Sequence, residues 1–593
     1  MITVLFAWII IFFTLFSFGD LFVCLYNKIC RNKEEYGISD TLILGICFAA
    51  IIVMASSLWL PTNEYILGSY VLVGIIYWIA NINRLKTIIG RLKDRFLSLS
   101  LLEKASLPIL IFIVLFCVFI SDWDLDASYY HFQNIRWNEL YPVIPGLGNM
   151  EDRLAFNSNY LLLSAVFTFR FIFGESDPIY ALQSLLFVVI LCSVVMKFFT
   201  SKYGSHYFIL LLLLLILYYL YRSTLSTSNT DILPMLFIFY YVARTGLHMN
   251  WLKEKPLISI LMPVVLVTYK LSTGFFALIC IVGIIYLLKQ KKLSELFFIL
   301  TCATLAIGLW LTRNVILSGY LVYPMTNIDL FSFDWKIPAV VGDIQRLYIN
   351  DFGKYIFLIE LKNLLGLNSI TLIIKFIPLI VSLLLPFIII YKVYKRKLTR
   401  KFLILCLFTL ACLGISIISA ADLRFTYGYI LGCSFLFFLM LFPQKSMSPY
   451  KNYLLCFLLV GFAYSSIEKF TYYSSRIKMK YETFSDFLAF YHHRTDKRPV
   501  YFEEYKMNDN IILYIALPEN ELRIASKIPA THPEGLPFYD FENRFDIFKI
   551  QHYKTIEARG SSLRDGFRTR KEYLDLFKRD REKYIDMYKN RQK

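Results

Sequence analysis

Long runs of apolar residues, separated by short polar loops, extend from the N-terminus to about residue 467. A helix that crosses the hydrocarbon core of a bilayer needs about 20 mostly apolar residues, and most of these runs approach or exceed that length. The pattern predicts an all-α polytopic membrane protein with about fourteen transmembrane helices. The predicted crossings are residues 3–26, 41–60, 65–80, 107–120, 178–196, 207–221, 232–242, 257–269, 273–288, 296–311, 370–391, 402–421, 425–442 and 453–467.

Composition and charge agree with this class and exclude a soluble globular protein. Of the 593 residues, 57% are hydrophobic, and the formal net charge is +18. In a soluble domain this charge would indicate nucleic-acid binding, but here much of the excess lies in short loops between apolar runs. Because such basic loops stay in the cytoplasm, the N-terminus and the acidic stretch 121–126 are predicted to lie outside. Nucleic acid is not an expected partner.

The acidic stretch ends an apolar run and carries the first candidate chemistry. Asp122, Asp124 and Asp126 stand where the fourth crossing must leave the membrane. The next residues have apolar side chains at roughly helical spacing, which predicts a short helix lying in the membrane interface. Asp126 is then well placed as a base that meets a lipid-borne substrate. In the alternative interpretation Asp126 only caps that helix, and the other two carboxylates mark the edge of the bilayer.

Four basic residues stand at external ends of predicted helices, where the positive-inside rule does not explain them. A cation near hydrocarbon is costly unless it is paired or extends to the surface. Each one alone is explained by such extension or by pairing with Asp231 or Asp422. Together they predict an anion site suited to the phosphate of a polyprenyl carrier. The four residues are Arg222, Lys270, Arg313 and Arg424.

Several motifs in the external loops resemble one family. In chain order they are Asp126, Tyr130-His131, Trp137, residues 145–149 (Pro-Gly-Leu-Gly-Asn), Arg153 and residues 156–158 (Phe-Asn-Ser), followed by residues 334–338 (Asp-Trp-Lys-Ile-Pro) and 565–567 (Asp-Gly-Phe). This order resembles the GT-C superfamily of integral membrane glycosyltransferases that use polyprenyl-phosphate sugars, and within it a bacterial branch with the same external loop. The element from Arg222 to Asp231 is similar to the oligosaccharyltransferase branch.

The resemblance implies a GT-C-like helical bundle and an inverting transfer of sugar to an acceptor hydroxyl on a glycan, lipid or protein. Asp126 would be the general base, supported by Asp124, His131 and Asp231, and the four external cations would bind the donor phosphate. No cofactor is required, although Asp124 and Asp126 leave room for Mg²⁺ or Mn²⁺. The expected location is the bacterial cytoplasmic (inner) membrane, with both termini extracytoplasmic. By the same resemblance, the short run 159–173 is expected to be interfacial or re-entrant.

Three segments follow from this interpretation. Residues 1–105 are predicted to form N-terminal transmembrane helices, and residues 106–468 a transmembrane catalytic core with external loops 122–177 and 313–369. Residues 469–593 are predicted to form a small external α/β domain with a charged helix. Three other functions are compatible with many helices and external cations: a lipid-linked glycan flippase or transporter, a polysaccharide polymerase or ligase, and a non-catalytic assembly protein.

Overall fold

The computed structural model describes residues 1–121, 126–174, 178–201, 204–366, 369–477, 492–493, 501–516, 527–531, 539–540, 545–546 and 548–590. Its longer helices are α1 (Ile2–Cys30), α2 (Ile38–Ser56), α3 (Glu64–Ala80), α4 (Ile82–Leu97), α5 (Leu101–Val118), α6 (Phe132–Leu140), α7 (Asn159–Val166), α8 (Arg170–Phe173), α9 (Leu182–Thr200), α10 (Ser205–Tyr221), α11 (Ile232–Leu247), α12 (Trp251–Glu254), α13 (Pro256–Tyr269), α14 (Cys280–Lys289), α15 (Leu293–Ser318), α16 (Ala339–Leu365), α17 (Ile370–Tyr394), α18 (Arg400–Ser419), α19 (Leu423–Leu441) and α20 (Lys451–Ile477).

The C-terminal segment adds short strands and three helices. Strand β1 (Ile120–Ser121) pairs in parallel with β2 (His492–His493), and β3 (Phe502–Lys506) forms an antiparallel hairpin with β4 (Ile512–Ala516), which also pairs in parallel with β5 (Ala530–Thr531). Two more antiparallel pairs are β6 (Tyr539–Asp540) with β7 (Phe545–Asp546), and β8 (Ile556–Ala558) with β9 (Phe567–Thr569). The helices are α21 (His552–Thr555), α22 (Lys571–Arg579) and α23 (Arg581–Asn590).

The helical architecture confirms a polytopic membrane protein. Within the described part of the chain, ten helical stretches are long and apolar enough to cross a membrane, or up to eleven if α3 and α4 count as one bent span. Three further predicted crossings coincide with α10, α11 and α13, apolar helices that are shorter than a full span. The run 159–173 breaks into α7 and α8, and neither is long enough to cross.

The loop predicted over residues 313–369 is largely helical, which corrects the sequence interpretation. Helix α15 continues to Ser318, and α16 occupies 27 residues of the remainder. The first turns of α16 are buried against α22 and α23, where Arg581 donates to Asp343 at 2.5 and 2.8 Å. This helix buries only one end of its length, so its sequence lacks the continuous apolar character that predicts a crossing.

The helix after Asp126 is buried within the protein, and its position at the membrane interface stays a prediction. A π-helical turn over Ala127–His131 leads into α6, and both the apolar and the polar faces of α6 are covered. Gln133 donates to the carbonyl of Ala530 at 2.5 Å, and Asn134 donates to the carbonyl of Leu154 at 3.3 Å. Its polar side chains are therefore satisfied by backbone from distant segments, which periodicity alone does not reveal.

The C-terminal segment packs onto the loop between α6 and α7. Thr531 and His552 both bond to the carbonyl of Met150, at 2.9 Å each. The predicted boundaries at 105/106 and 468/469 fall inside α5 and α20, so neither marks a break in the backbone. The three predicted segments are continuous parts of one packed structure.

Two motifs that are far apart in the sequence, residues 145–149 and 565–567, are joined by a backbone hydrogen bond. The amide of Phe567 donates to the carbonyl of Pro145 at 3.0 Å, and Asn149 donates to the carbonyl of Trp335 at 2.8 Å. Gly566 has φ 91° and ψ −168°, and an added Cβ there would collide with the carbonyl oxygen of Pro145. This close approach requires glycine at position 566.

Gly566→Ala is therefore expected to destabilise the fold by about 3 kcal/mol or more, because strain at positive φ adds to the collision. Gly174 is a matched control, since it has a similar conformation (φ 100°, ψ 161°) and no atom of the described residues lies within 4 Å of an added Cβ. Gly174→Ala should cost only the backbone strain, about 1 to 2 kcal/mol. Thermal unfolding of the two variants measures the difference, and equal losses would contradict the packing described here.

Candidate active site

Charged residues predicted from the sequence meet at one end of the helical bundle. Asp126 accepts from Arg153 Nη1 at 3.2 Å through Oδ1, and from Arg424 Nη1 at 2.9 Å through Oδ2. Its side chain makes no capping hydrogen bond to the turn that follows. The interpretation of Asp126 as a helix cap is therefore wrong, because its carboxylate instead joins two cations from distant segments.

The contacts continue from Arg424 to two more carboxylates. Asp422 caps α19 by accepting from the Arg424 amide at 2.9 Å, which places Arg424 in the first turn. Arg424 Nε lies 2.7 Å from Asp422 and 3.8 Å from Asp231, and Asp231 also accepts a hydrogen bond from Lys270. We call these residues the Asp126 cluster; its members are Asp126, Arg153, Asp231, Lys270, Asp422 and Arg424.

The Asp126 cluster contains three carboxylates and three cations, so its formal charges balance. Burial alone would raise the pKa of Asp126, but the guanidinium groups of Arg424 and Arg153 outweigh it and hold that pKa well below its usual range. Asp126 is therefore a carboxylate at every physiological pH. An incoming anion therefore competes with these carboxylates for the cations.

His131 lies beside the cluster as a neutral side chain. It is 1% exposed, and burial lowers its pKa to about 3. Its Nδ1 lies 3.4 Å from Ser228 Oγ, while its buried Nε2 has no hydrogen-bond partner among the described residues. An unpaired buried ring nitrogen next to charged groups is suited to contact a substrate.

Arg153 is a cluster member to which the sequence interpretation gave no role of its own. It is 8% exposed, and its guanidinium lies 5.6 Å from the ring centre of Tyr130 and 5.5 Å from that of Tyr348. It is the second residue of a short 3-10 helix, Asp152–Phe156, that packs near the π turn. In the sequence, the only feature that indicated a functional role for Arg153 was its position in the loop with the Tyr-His and Pro-Gly-Leu-Gly-Asn motifs.

Arg222 does not join the Asp126 cluster in the contacts of the described residues. Its guanidinium pairs with Glu468 of α20 at 2.9 Å and lies 4.3 Å from the ring centre of Tyr219. The Arg222 carbonyl also accepts from Lys469 at 3.1 Å. Arg222 stands at the C-terminal end of α10 with its side chain directed to α20, and its position on the external side stays a prediction.

Arg313 lies in a separate polar cluster and is 2% exposed. Its three nitrogens donate to Asn157 at 3.1 Å, to Ser57 at 2.5 Å and to Asn138 at 3.1 Å. All three acceptors are neutral oxygens. Through them Arg313 connects α15 to the residue after α2, to α6 and to the segment before α7. Of the four cations predicted to bind donor phosphate, the structure brings together Lys270 and Arg424.

A metal at Asp124 and Asp126 stays a prediction, since Asp124 lies outside the described residues. Over the residues that the structure does describe, no group of three or more His, Cys, Asp or Glu side chains is arranged to hold a metal ion. Both oxygens of Asp126 already accept from guanidinium groups. That arrangement does not fit a divalent cation, which requires the carboxylate oxygens as ligands.

A second buried carboxyl lies behind Arg153 and should make stability depend on pH. Burial raises the pKa of Asp152 to about 7, despite the neighbouring Arg153 and a hydrogen bond from Tyr323 at 3.1 Å. Between the unfolded pKa near 4 and the folded pKa near 7, the folded state binds more protons than the unfolded chain. The protonated Asp152 therefore contributes its full amount to the free energy of unfolding below that range, and this contribution is lost as pH rises through it.

We expect the melting temperature to fall by about 5 °C between pH 5 and pH 7.5 on account of Asp152, and Asp152→Asn to remove most of this slope. Asp509→Asn is the control, because the Asp509 side chain is 95% exposed and its removal should leave the slope unchanged. Thermal unfolding across this pH range checks both variants. A slope that persists in Asp152→Asn would contradict the assignment.

Comparison with known proteins identifies a family for this chain but assigns no function to it. No curated protein and no solved structure matches the chain. One family profile, described as Domain of unknown function (DUF8201), matches residues 1–431. This range contains every member of the Asp126 cluster and excludes the C-terminal strands. The chain belongs to the DUF8201 family.

Proposed function

We propose that the protein is an inverting, GT-C-type membrane glycosyltransferase that uses a polyprenyl-phosphate-type sugar donor. The acceptor is a hydroxyl group on the external face of a bacterial cytoplasmic membrane, and the product is a cell-surface glycan or glycolipid. One observation carries this proposal: Asp126 meets Arg424, and through it Asp231 and Lys270, although these residues are far apart in the sequence. An acid beside several cations is what transfer from a phosphate-linked sugar requires.

The reaction needs one base and a site for the leaving phosphate. The acceptor oxygen forms a bond to the anomeric carbon while the bond from that carbon to the phosphate oxygen breaks, and the electron pair leaves with the phosphate. The hydroxyl proton passes to the Asp126 carboxylate. Attack from the side opposite the phosphate inverts the anomeric centre. Arg424 and Lys270 stabilise the negative charge that develops on the phosphate.

Donor binding activates the base by an exchange of ion-pair partners. In the free protein Arg424 holds Asp126 at 2.9 Å and Asp422 at 2.7 Å. When the donor phosphate replaces Asp126 on Arg424 Nη1, the carboxylate loses the cation that most strongly lowers its pKa. Asp126 therefore becomes a stronger base only once the donor is in place. This order protects the site from carrying an unpaired carboxylate in the absence of substrate.

The remaining cluster members position these groups. Asp231 holds Lys270, and Lys270 Nζ also lies 3.6 Å from the ring centre of Phe425, next to Arg424. His131 offers its unpaired Nε2 to the donor. Arg153 keeps Asp126 oriented after Arg424 turns to the phosphate.

The proposed topology has fourteen crossings with both termini outside. Its support is the separation of charge along the bundle: the Asp126 cluster joins the π-helical turn before α6, the start of α11, the end of α13 and the start of α19. The opposite ends carry the basic loops, where Arg84 pairs with Asp20 and Arg244 pairs with Asp40. Basic loops remain in the cytoplasm, so the cluster faces outward.

The test uses the full-length protein in liposomes with a radiolabelled polyprenyl-phosphate sugar and an extract of membrane glycans as acceptor. Label is expected to move from the lipid carrier to the glycan or glycolipid fraction, and not from a nucleotide sugar. Movement of the intact lipid-linked sugar across the bilayer without transfer would identify a transporter instead. Joining of preformed lipid-linked glycans would identify a polymerase or ligase.

A further inference from the structure

Helix α4 is a basic amphipathic helix whose apolar face is not covered by protein. It follows α3 after a bend of 89° at Asn81, and none of its sixteen residues is buried. Apolar side chains recur every three or four residues along one side, and several remain open: Ile89 is 54% exposed, Phe96 is 41% exposed and Leu92 is 40% exposed. A helix of this length without such burial is marginal in water.

Two ion pairs fasten α4 to the bundle. Arg84 contacts both carboxylate oxygens of Asp20, at 2.6 and 2.7 Å, and Arg91 contacts Glu35 at 2.6 and 3.2 Å. Because α3 is an apolar helix and α5 is a candidate span, the perpendicular helix between them lies along the membrane surface. The apolar face is therefore turned to lipid rather than to water.

Three further basic side chains have no ion-pair partner among the described residues. Lys86, Lys93 and Arg95 are exposed, and on a helical projection the two lysines stand on one flank of the apolar face while Arg95 stands on the other. Cations on both flanks of an apolar face match the layer of negatively charged headgroups above the acyl chains. Asp94 is the only acidic residue in the helix.

We propose that α4 binds anionic phospholipid headgroups at the end of the bundle that carries the basic loops. The apolar face enters the acyl boundary, and Lys86, Lys93 and Arg95 contact lipid phosphates. The site is independent of the Asp126 cluster, which joins the opposite ends of the helices. Lipid charge would thereby contribute to the stability of the bundle on this side of the membrane.

The test measures phosphatidylglycerol and phosphatidylcholine retained by the full-length protein in native mass spectrometry, with titration of each lipid. The wild type is expected to prefer phosphatidylglycerol. The triple variant Lys86→Gln, Lys93→Gln and Arg95→Gln should bind phosphatidylglycerol about 100-fold more weakly, and phosphatidylcholine unchanged. A charge-preserving variant, Lys86→Arg, Lys93→Arg and Arg95→Lys, should bind as the wild type does.

A matched control removes three charges from another basic loop, through Lys392→Gln, Lys395→Gln and Lys397→Gln. Lys392 lies in the last turn of α17, and the other two residues follow that helix, so none is on an amphipathic helix parallel to the membrane. The control is expected to retain preferential binding within about threefold, because its charges lack the adjacent apolar face. Equal binding of the two lipids by the wild type, or equal losses in the two triple variants, would overturn the proposal.

Discussion

Asp126→Asn should reduce sugar transfer by about 1000-fold or more, because the amide cannot accept the proton of the acceptor hydroxyl. The measurement is transfer from a polyprenyl-phosphate sugar at saturating donor. The variant should also lose about 1 to 3 kcal/mol of stability, since Arg153 and Arg424 each lose a charged partner. The sequence alone gave no reason for that loss, because the ion pairs were not visible in it.

The Asp422→Asn variant distinguishes loss of the catalytic base from loss of an ion pair with Arg424. It removes a carboxylate that lies 2.7 Å from the same Arg424 and is 5% exposed, against 20% for Asp126, yet asparagine still caps α19. A similar loss of stability is expected, with transfer reduced by no more than about 10-fold. If the two variants lose transfer equally, Asp126 has no chemical role beyond holding Arg424.

Arg424→Gln should lower transfer by about 100-fold to 1000-fold and raise the donor KM, because it removes the cation that both receives the phosphate and releases Asp126. Arg424→Lys should recover part of the rate, since lysine supplies charge without the two-point contact. Steady-state kinetics with varied donor concentration distinguish the effects on kcat and KM.

Arg222→Gln is the matched control for Arg424. Both arginines stand at helix ends, but Arg222 pairs with Glu468, whose side chain is 38% exposed. Transfer is expected to stay within about threefold of wild type, and stability within about 1 kcal/mol. Loss of transfer comparable to that of Arg424→Gln would mean that the phosphate site includes Arg222.

The membrane class and the helix positions could be predicted because apolar runs depend only on local composition. Helix α16 could not be predicted in this way. It buries mainly its first turns, and its charged residues, among them Asp343 and Lys362, interrupt the apolar pattern that would indicate a helix. Burial of α6 on both faces was also missed. It depends on Ala530 and other residues about 400 positions away, and such contacts leave no periodic signal.

Of the four cations predicted to bind donor phosphate, the structure brings two into the Asp126 cluster, and phosphate binding itself stays a prediction. A helix end fixes the depth of a residue in the membrane, which is why the sequence predicts all four cations on one side. It does not fix the direction of the side chain about the helix axis. Arg424 and Lys270 point to Asp231, whereas Arg222 points to Glu468 and Arg313 points to neutral amides.

The most direct test of the central claim is an experimental structure of the full-length protein with bound polyprenyl phosphate. The phosphate is expected within hydrogen-bond distance of Arg424, with Asp126 released from that guanidinium and still held by Arg153. A phosphate bound among the basic loops at the opposite end of the helices, or an Arg424 that keeps Asp126 while the lipid phosphate lies elsewhere, would contradict it.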